Sequence, residues 1–117
     1  MAKNKIDFDV VRELVLVLSG VEESTIHGAP SWKVGGKLLA CPAHHQSAEP
    51  NSLAVRIDAD QRAELIAAEP SIYYVTDHYV KYPMVLVRLA AINRNALRDL
   101  LEKAWRFTNS KKKTSGR

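Results

Sequence analysis

His27-Gly28-Ala29-Pro30-Ser31-Trp32-Lys33-Val34-Gly35-Gly36-Lys37-Leu38-Leu39-Ala40-Cys41 is the stretch on which the fold turns. Two short runs suited to a pleated surface flank Gly35-Gly36. A glycine pair is one of the few two-residue loops that meets the positive φ of a tight hairpin without strain. A β-hairpin over these residues pairs Val34 with Lys37 and Trp32 with Leu39. Trp32, Val34 and Leu39 then share one face, and Lys33 and Leu38 take the other.

Upstream of the hairpin, Asp7 or Asp9 caps a first helix in which Phe8, Val11, Leu14, Val15 and Leu18 recur at helical spacing, and Gly20 supplies a left-handed stop. The β-branched density of Val15-Leu16-Val17 makes a strand conceivable, but length and caps favour the helix. Val21 to Ile26 carries Glu22, Glu23, Ser24 and Thr25, side chains that suit a short edge strand. Downstream, Pro42 to Asn51 is a polar loop, long for a hairpin connection. Ser52 to Asp58 alternates, with Leu53, Val55 and Ile57 inward and Ala54 and Arg56 outward.

Asp58 with Gln61 reads as a capping box for a helix through Glu69, in which Ala63, Leu65, Ile66 and Ala67 pack down and which Pro70 ends. Ile72 to Val75 is a strand by its aromatic and β-branched content, and Met84 to Leu89 is a strand apolar on both faces. Thr76 to Tyr82 is the second long connection. Asn93 or Asn95 caps a last helix with Leu97, Leu100, Leu101 and Ala104 on one stripe, and with Asp99/Lys103 and Glu102/Arg106 as outer pairs.

The order helix, four strands, helix, two strands, helix gives an α+β domain: an antiparallel sheet of short hairpins with helices on one side. Its 117 residues suit one domain over 1–107, followed by a tail, 108–117, expected to be disordered. Formal net charge is +4, but Lys111, Lys112, Lys113 and Arg117 supply all of it, and thirteen bases face thirteen acids in residues 1–110. A single cysteine, Cys41, rules out an intramolecular disulfide and fits a reducing compartment. The apolar run Leu14 to Leu18 is too short to span a bilayer, and no signal-peptide pattern follows the basic N-terminus, so a cytoplasmic, non-membrane protein is expected.

Gly20 to Lys37, Glu69 to Tyr79 and the Pro83-to-Leu89 strand together resemble the MmcQ/YjbR family. The resemblance runs from the first helix to Arg106. It implies an α+β fold with two projecting hairpins, a double-wing motif from which members are called predicted DNA-binding proteins. Here the wings would be Cys41 to Asn51 and Thr76 to Pro83. The family supplies no established catalytic residue, and the proposed wings carry only Lys81 as a phosphate-facing cation, where a docking surface needs several.

No pattern in the chain assembles an enzyme. Cys41-Pro42-Ala43-His44-His45 has metal-ligand residue types, but no second pair at matching spacing completes a zinc site. Cys41 with His44 lacks an orienting third group. Gly35-Gly36-Lys37 leads into a strand, so it has no helix N-terminus to cradle phosphate. No cofactor is implied. The residues left as binding candidates are His27, Trp32, Lys37, Tyr73, Tyr74, Thr76, His78, Tyr79 and Arg88, the last being the one charge in an apolar strand.

Two binding readings stay open. The first is DNA, held by Lys81, Tyr79, Tyr82 and the Lys111-Lys112-Lys113 tail through backbone contact and stacking. The second is a small anionic ligand or peptide in a cleft where Arg88, Lys37, His27 and His78 converge. Against that cleft stands a structural role for Arg88, paired with Asp77 or Glu69.

Overall fold

A computed structural model describes residues 6–26 and 28–109. His27 and the cluster Lys111, Lys112 and Lys113 lie outside the described residues. The elements are α1 (Phe8–Leu16), β1 (Val21–Ile26), β2 (Ala29–Val34), β3 (Lys37–Pro42), β4 (Ser52–Arg56), α2 (Ala59–Ala68), β5 (Tyr73–Tyr74), β6 (Met84–Arg88) and α3 (Arg94–Asn109). The six strands form one sheet in the order β1-β2-β3-β4-β6-β5, and every neighbouring pair is antiparallel. This is the α+β arrangement expected from the sequence.

Gly35 and Gly36 both take positive φ, 60° and 80°, as a two-residue hairpin loop of opposite twist to the common turns requires. Val34 pairs with Lys37 and Lys33 with Leu38, but the register then slips, and Trp32 lies opposite Ala40 instead of Leu39. One extra residue on β3 forms a bulge. Its consequence is a change of phase: Leu39 and Ala40 both turn into the main core beside Trp32, and Leu38 and Cys41 share the opposite face. Strict alternation would have separated Leu38 from Cys41.

The main core lies between the sheet and the three helices. Trp32, Leu39, Leu53, Val55 and Ile57 from the strands meet Val11 and Val15 of α1 and Leu97, Leu100, Leu101 and Ala104 of α3. Asp7 caps α1, its carboxylate accepting from the Val10 amide at 3.1 Å, and Asn93 caps α3 by accepting from the Ala96 amide at 2.8 Å. The indole of Trp32 is fully buried, and its N–H donates to Glu23 of the edge strand at 3.0 Å. A buried indole N–H without such a partner would be destabilising.

Three expectations are revised. The helix stripe assigned to Ala63, Leu65, Ile66 and Ala67 holds for Leu65 and Ile66, which are half-buried against the core, while both alanines are exposed. α2 lies against the short β5–β6 edge of the sheet, so only one seam of it is covered. The strand expected over Ile72–Val75 shrinks to Tyr73–Tyr74, because the amides of Ile72 and Tyr73 turn back to the Glu69 carbonyl at 3.0 and 3.1 Å. The last helix continues to Asn109, and buried Thr108 bonds the Ala104 carbonyl at 2.8 Å. Residues 108 and 109 therefore belong to the domain and not to the tail.

Candidate functional site

The sequence candidates do not share one place. Trp32 and Tyr73 are core residues with 0% and 5% exposure. Burial pushes the Tyr73 phenol pKa upward, with Glu69 and Asp99 adding to it. Lys37 is exposed at the hairpin turn, next to Leu38, whose carbonyl is bonded by Arg56. Arg56 pairs across the sheet with Met84, at the opposite end of β6 from Arg88. Lys37 and Arg88 therefore stand at opposite ends of the sheet and do not converge.

Arg88 has a partner, but neither of the two foreseen. Its Nε and one terminal nitrogen donate to the two carboxylate oxygens of Glu49, each at 2.8 Å, and the other terminal nitrogen donates to the Pro70 carbonyl at 3.0 Å. The guanidinium also lies over the Tyr74 ring, 4.3 Å from its centroid. The hydrogen bond from Arg88 holds the Glu49 carboxyl below its ordinary pKa, and the same bond raises that of Arg88. Every donor edge of Arg88 is thus committed to the fold.

The two long connections do not stand away from the sheet as wings. They leave from opposite ends and fold over the helix-free face, where they meet. His45 of the first stacks on His78 of the second, with ring centroids 3.6 Å apart and planes within 6°. The His45 amide donates to the Tyr79 hydroxyl at 3.3 Å, and Ser47 and Thr76 share a hydroxyl bond at 2.8 Å. The Tyr74 hydroxyl takes the Glu49 amide at 2.8 Å and bonds Ser52 at 2.6 Å. Ala43, Ala48, Tyr74 and Tyr79 thereby cover a second, smaller core of Ala54, Met84 and Leu86.

Beside this clasp the covering stops, and a groove of about 240 Å³ opens between β3, β4 and the Tyr82-Pro83 segment. Leu38, Cys41, Ala54 and Met84 form its floor, and Tyr79, Tyr82 and Pro83 its wall. Arg62 of α2 fixes that wall from behind, donating to the carbonyls of Tyr82 at 2.9 Å, Met84 at 3.1 Å and Val80 at 3.5 Å. The remaining lining residue is Arg56, whose Nε donates to the Leu38 carbonyl at 2.6 Å. Burial lowers the Arg56 pKa.

Cys41 lies in this groove as a thiol, because burial raises its pKa, and a nucleophilic thiolate needs the opposite environment. Among the described residues no group of three or more His, Cys, Asp and Glu side chains is placed to hold a metal ion. No described helix is long and apolar enough to cross a membrane. Arg56 faces away from the helices, as the alternation over Ser52 to Asp58 predicts. The apolar character of Met84 to Leu89 on both faces signals that this face is covered, but not by what, because the cover comes from two polar loops.

Three comparisons bear on this architecture. The profile of the YjbR family matches residues 16–107. Uncharacterized proteins of Mycobacterium tuberculosis (strain H37Rv) and Mycobacterium bovis are each 31% identical over 107 residues, spanning 80% of this chain and 83% of the relative. The crystal structure of a Deinococcus radiodurans protein with a DUF419 domain superposes with a TM-score of 0.73 at 20% identity, over 95% of this chain and 84% of that one. That likeness speaks for the fold.

Proposed function

The chain belongs to the YjbR family, and from that premise we propose that this member is a non-catalytic small-molecule-binding module whose site is the groove on the helix-free face of the sheet. The observation that carries the reading is the groove itself: an apolar floor of Leu38, Cys41, Ala54 and Met84 left open where two loops otherwise seal the face. Concave apolar sites with a few placed polar groups are where small ligands bind. The cationic group at this site is Arg56, in place of the Arg88 and Lys37 cleft suggested by sequence, since Arg88 is consumed by Glu49.

An NMR screen of small apolar compounds, read on the Met84 methyl and the Tyr79 and Tyr82 rings, tests this. Hits should perturb those signals and leave Val15 and Leu101 in place. Hits that scatter over the surface, or none at millimolar concentration, would remove the reading.

Nucleic-acid binding is the second reading, favoured by the Lys111, Lys112 and Lys113 cluster. Residues 1–110 carry thirteen Lys and Arg against thirteen Asp and Glu, so the excess positive charge that would meet phosphates lies at Lys111, Lys112, Lys113 and Arg117. Fluorescence anisotropy with a duplex probe separates the two. Binding that weakens steeply with salt and vanishes on deletion of residues 110–117 supports the second reading, and salt-insensitive or absent binding rejects it.

A further inference from the structure

We propose that the groove takes a small carboxylic acid, its carboxylate held by the two terminal nitrogens of Arg56 and a single ring or short branched chain lying over Leu38, Ala54 and Met84. The inference rests on the reading of the groove as a ligand site and adds the chemical class.

Arg56 is set apart from the other described arginines. Arg12, Arg88, Arg94 and Arg106 each reach a carboxylate, of Glu23, Glu49, Glu13 and Glu102 respectively. Arg62 donates to backbone carbonyls and Arg98 to Asn95. Arg56 spends only its Nε, on the Leu38 carbonyl at 2.6 Å, and among the described residues its two terminal nitrogens have no partner. The carboxylate two residues on, Asp58, is turned to the helix side, where it caps α2 by accepting from the Gln61 amide at 2.8 Å. Arg56 thus lines a largely apolar groove whose other lining residues include no Asp or Glu.

That arrangement selects its ligand. Arginine stays protonated even where burial disfavours the charge, so the site must be completed by an anion or by water. The Nε bond fixes the plane of the guanidinium, which presents a fork matched to a carboxylate. One cation in an apolar surround balances a monoanion. A phosphate dianion would bring a second negative charge with no cation to meet it. The size of the groove limits the rest of the ligand: at about 240 Å³ it falls below the roughly 300–1,000 Å³ of drug-sized pockets, which leaves room for one ring.

Phenylacetate and phenylacetamide are near-isosteres that differ in charge, and titrating each into the full isotope-labelled chain by NMR tests the class. The acid should shift the amides of Leu38, Cys41 and Met84 and bind roughly ten- to a hundredfold more tightly than the amide, the usual worth of a charge-assisted hydrogen bond. Arg56→Gln should bring the acid down to the affinity of the amide and leave the amide unchanged. Should that variant fail to fold for want of its bond to Leu38, the wild-type comparison still decides, together with Cys41 alkylation by iodoacetamide, which phenylacetate should slow and phenylacetamide should not.

Equal affinities for acid and amide in the groove would overturn the carboxylate class and leave the ligand-site reading standing. Acid shifts that map to Lys103 and Arg106 instead would also overturn the class. No shift with either probe at millimolar concentration would remove both.

Discussion

Arg88 and Glu49, 39 residues apart in the chain, meet fork to fork with two 2.8 Å contacts that tie the first long connection to β6. The pair sits at the surface, so its worth lies in position more than in energy. With the His45–Tyr79, Ser47–Thr76 and Glu49–Tyr74 bonds, it holds the 43–49 segment on the helix-free face. Glu49→Gln and Arg88→Gln should each speed amide exchange of residues 43–49 without changing that of Val55 or Leu100, and the double variant should add little to either single one. Additive effects would mean that the two side chains act independently. The sign with pH follows from the lowered Glu49 pKa: protection is complete above the unfolded carboxyl value near 4.5 and is lost as pH falls through the folded value.

A second prediction concerns the turn of the central hairpin. A Cβ added at Gly35 or Gly36 would meet nothing within 4 Å, so any cost of substitution is dihedral and not steric. Gly35→Ala and Gly36→Ala should each destabilise by about 1–2 kcal/mol, the penalty of a left-handed non-glycine residue. The denaturation midpoint should move without a change in slope, since the surface exposed on unfolding is unaltered. A variant as stable as wild type would mean that these φ values are not held in solution.

That turn was legible in the sequence because its signal is local: two glycines, with alternating residues on either side. The Asp58 cap was legible for the same reason, and those of α1 and α3 were legible to within two residues, as Asp7 or Asp9 and Asn93 or Asn95, of which Asp7 and Asn93 make the bonds. What could not be read depends on contacts distant in the chain. The bulge at Leu39 brings both Leu39 and Ala40 into the core with Trp32, and no local pattern announces that arrangement. Glu49 cannot be picked out of the sequence as the partner of Arg88, because it lies in a polar loop of no visible periodicity. The alternation of β4 turns Arg56 away from the helices, but its place in a groove follows from Tyr79, Tyr82 and Pro83 folding back over that face.

The helix-free face gives a third prediction. Were it open to water, Leu86 would be an ordinary exposed residue and Leu86→Ala nearly neutral. Leu86 is instead fully buried with Ala54 and Met84 beneath the two connections. Its truncation should destabilise by about 2–5 kcal/mol, as for other large-to-small core changes. Equilibrium urea unfolding measures this. A loss below about 1 kcal/mol, the scale of an ordinary surface substitution, would show that the cover of this face does not persist.

The last prediction concerns the two stacked histidines where the connections meet. The His78 pKa is lowered, first by burial and then by His45 and Lys81 nearby. The Ser47 amide donates to His45 Nδ1 at 3.0 Å, which fixes the ring that stacks on His78. Because the folded state binds its His78 proton less readily than the unfolded chain does, stability is full above the unfolded value near 6.5 and is lost as pH falls through that value toward the folded one. Thermal unfolding followed from pH 8 to pH 5 should therefore show a falling midpoint. His78→Phe, which keeps a flat ring against His45 and removes the titration, should flatten that profile. Added salt should recover part of the loss in wild type, since the repulsion from His45 and Lys81 is screened and the desolvation is not. A wild-type profile indistinguishable from that of His78→Phe would show that the stack carries no pH-dependent share of the closure over the helix-free face.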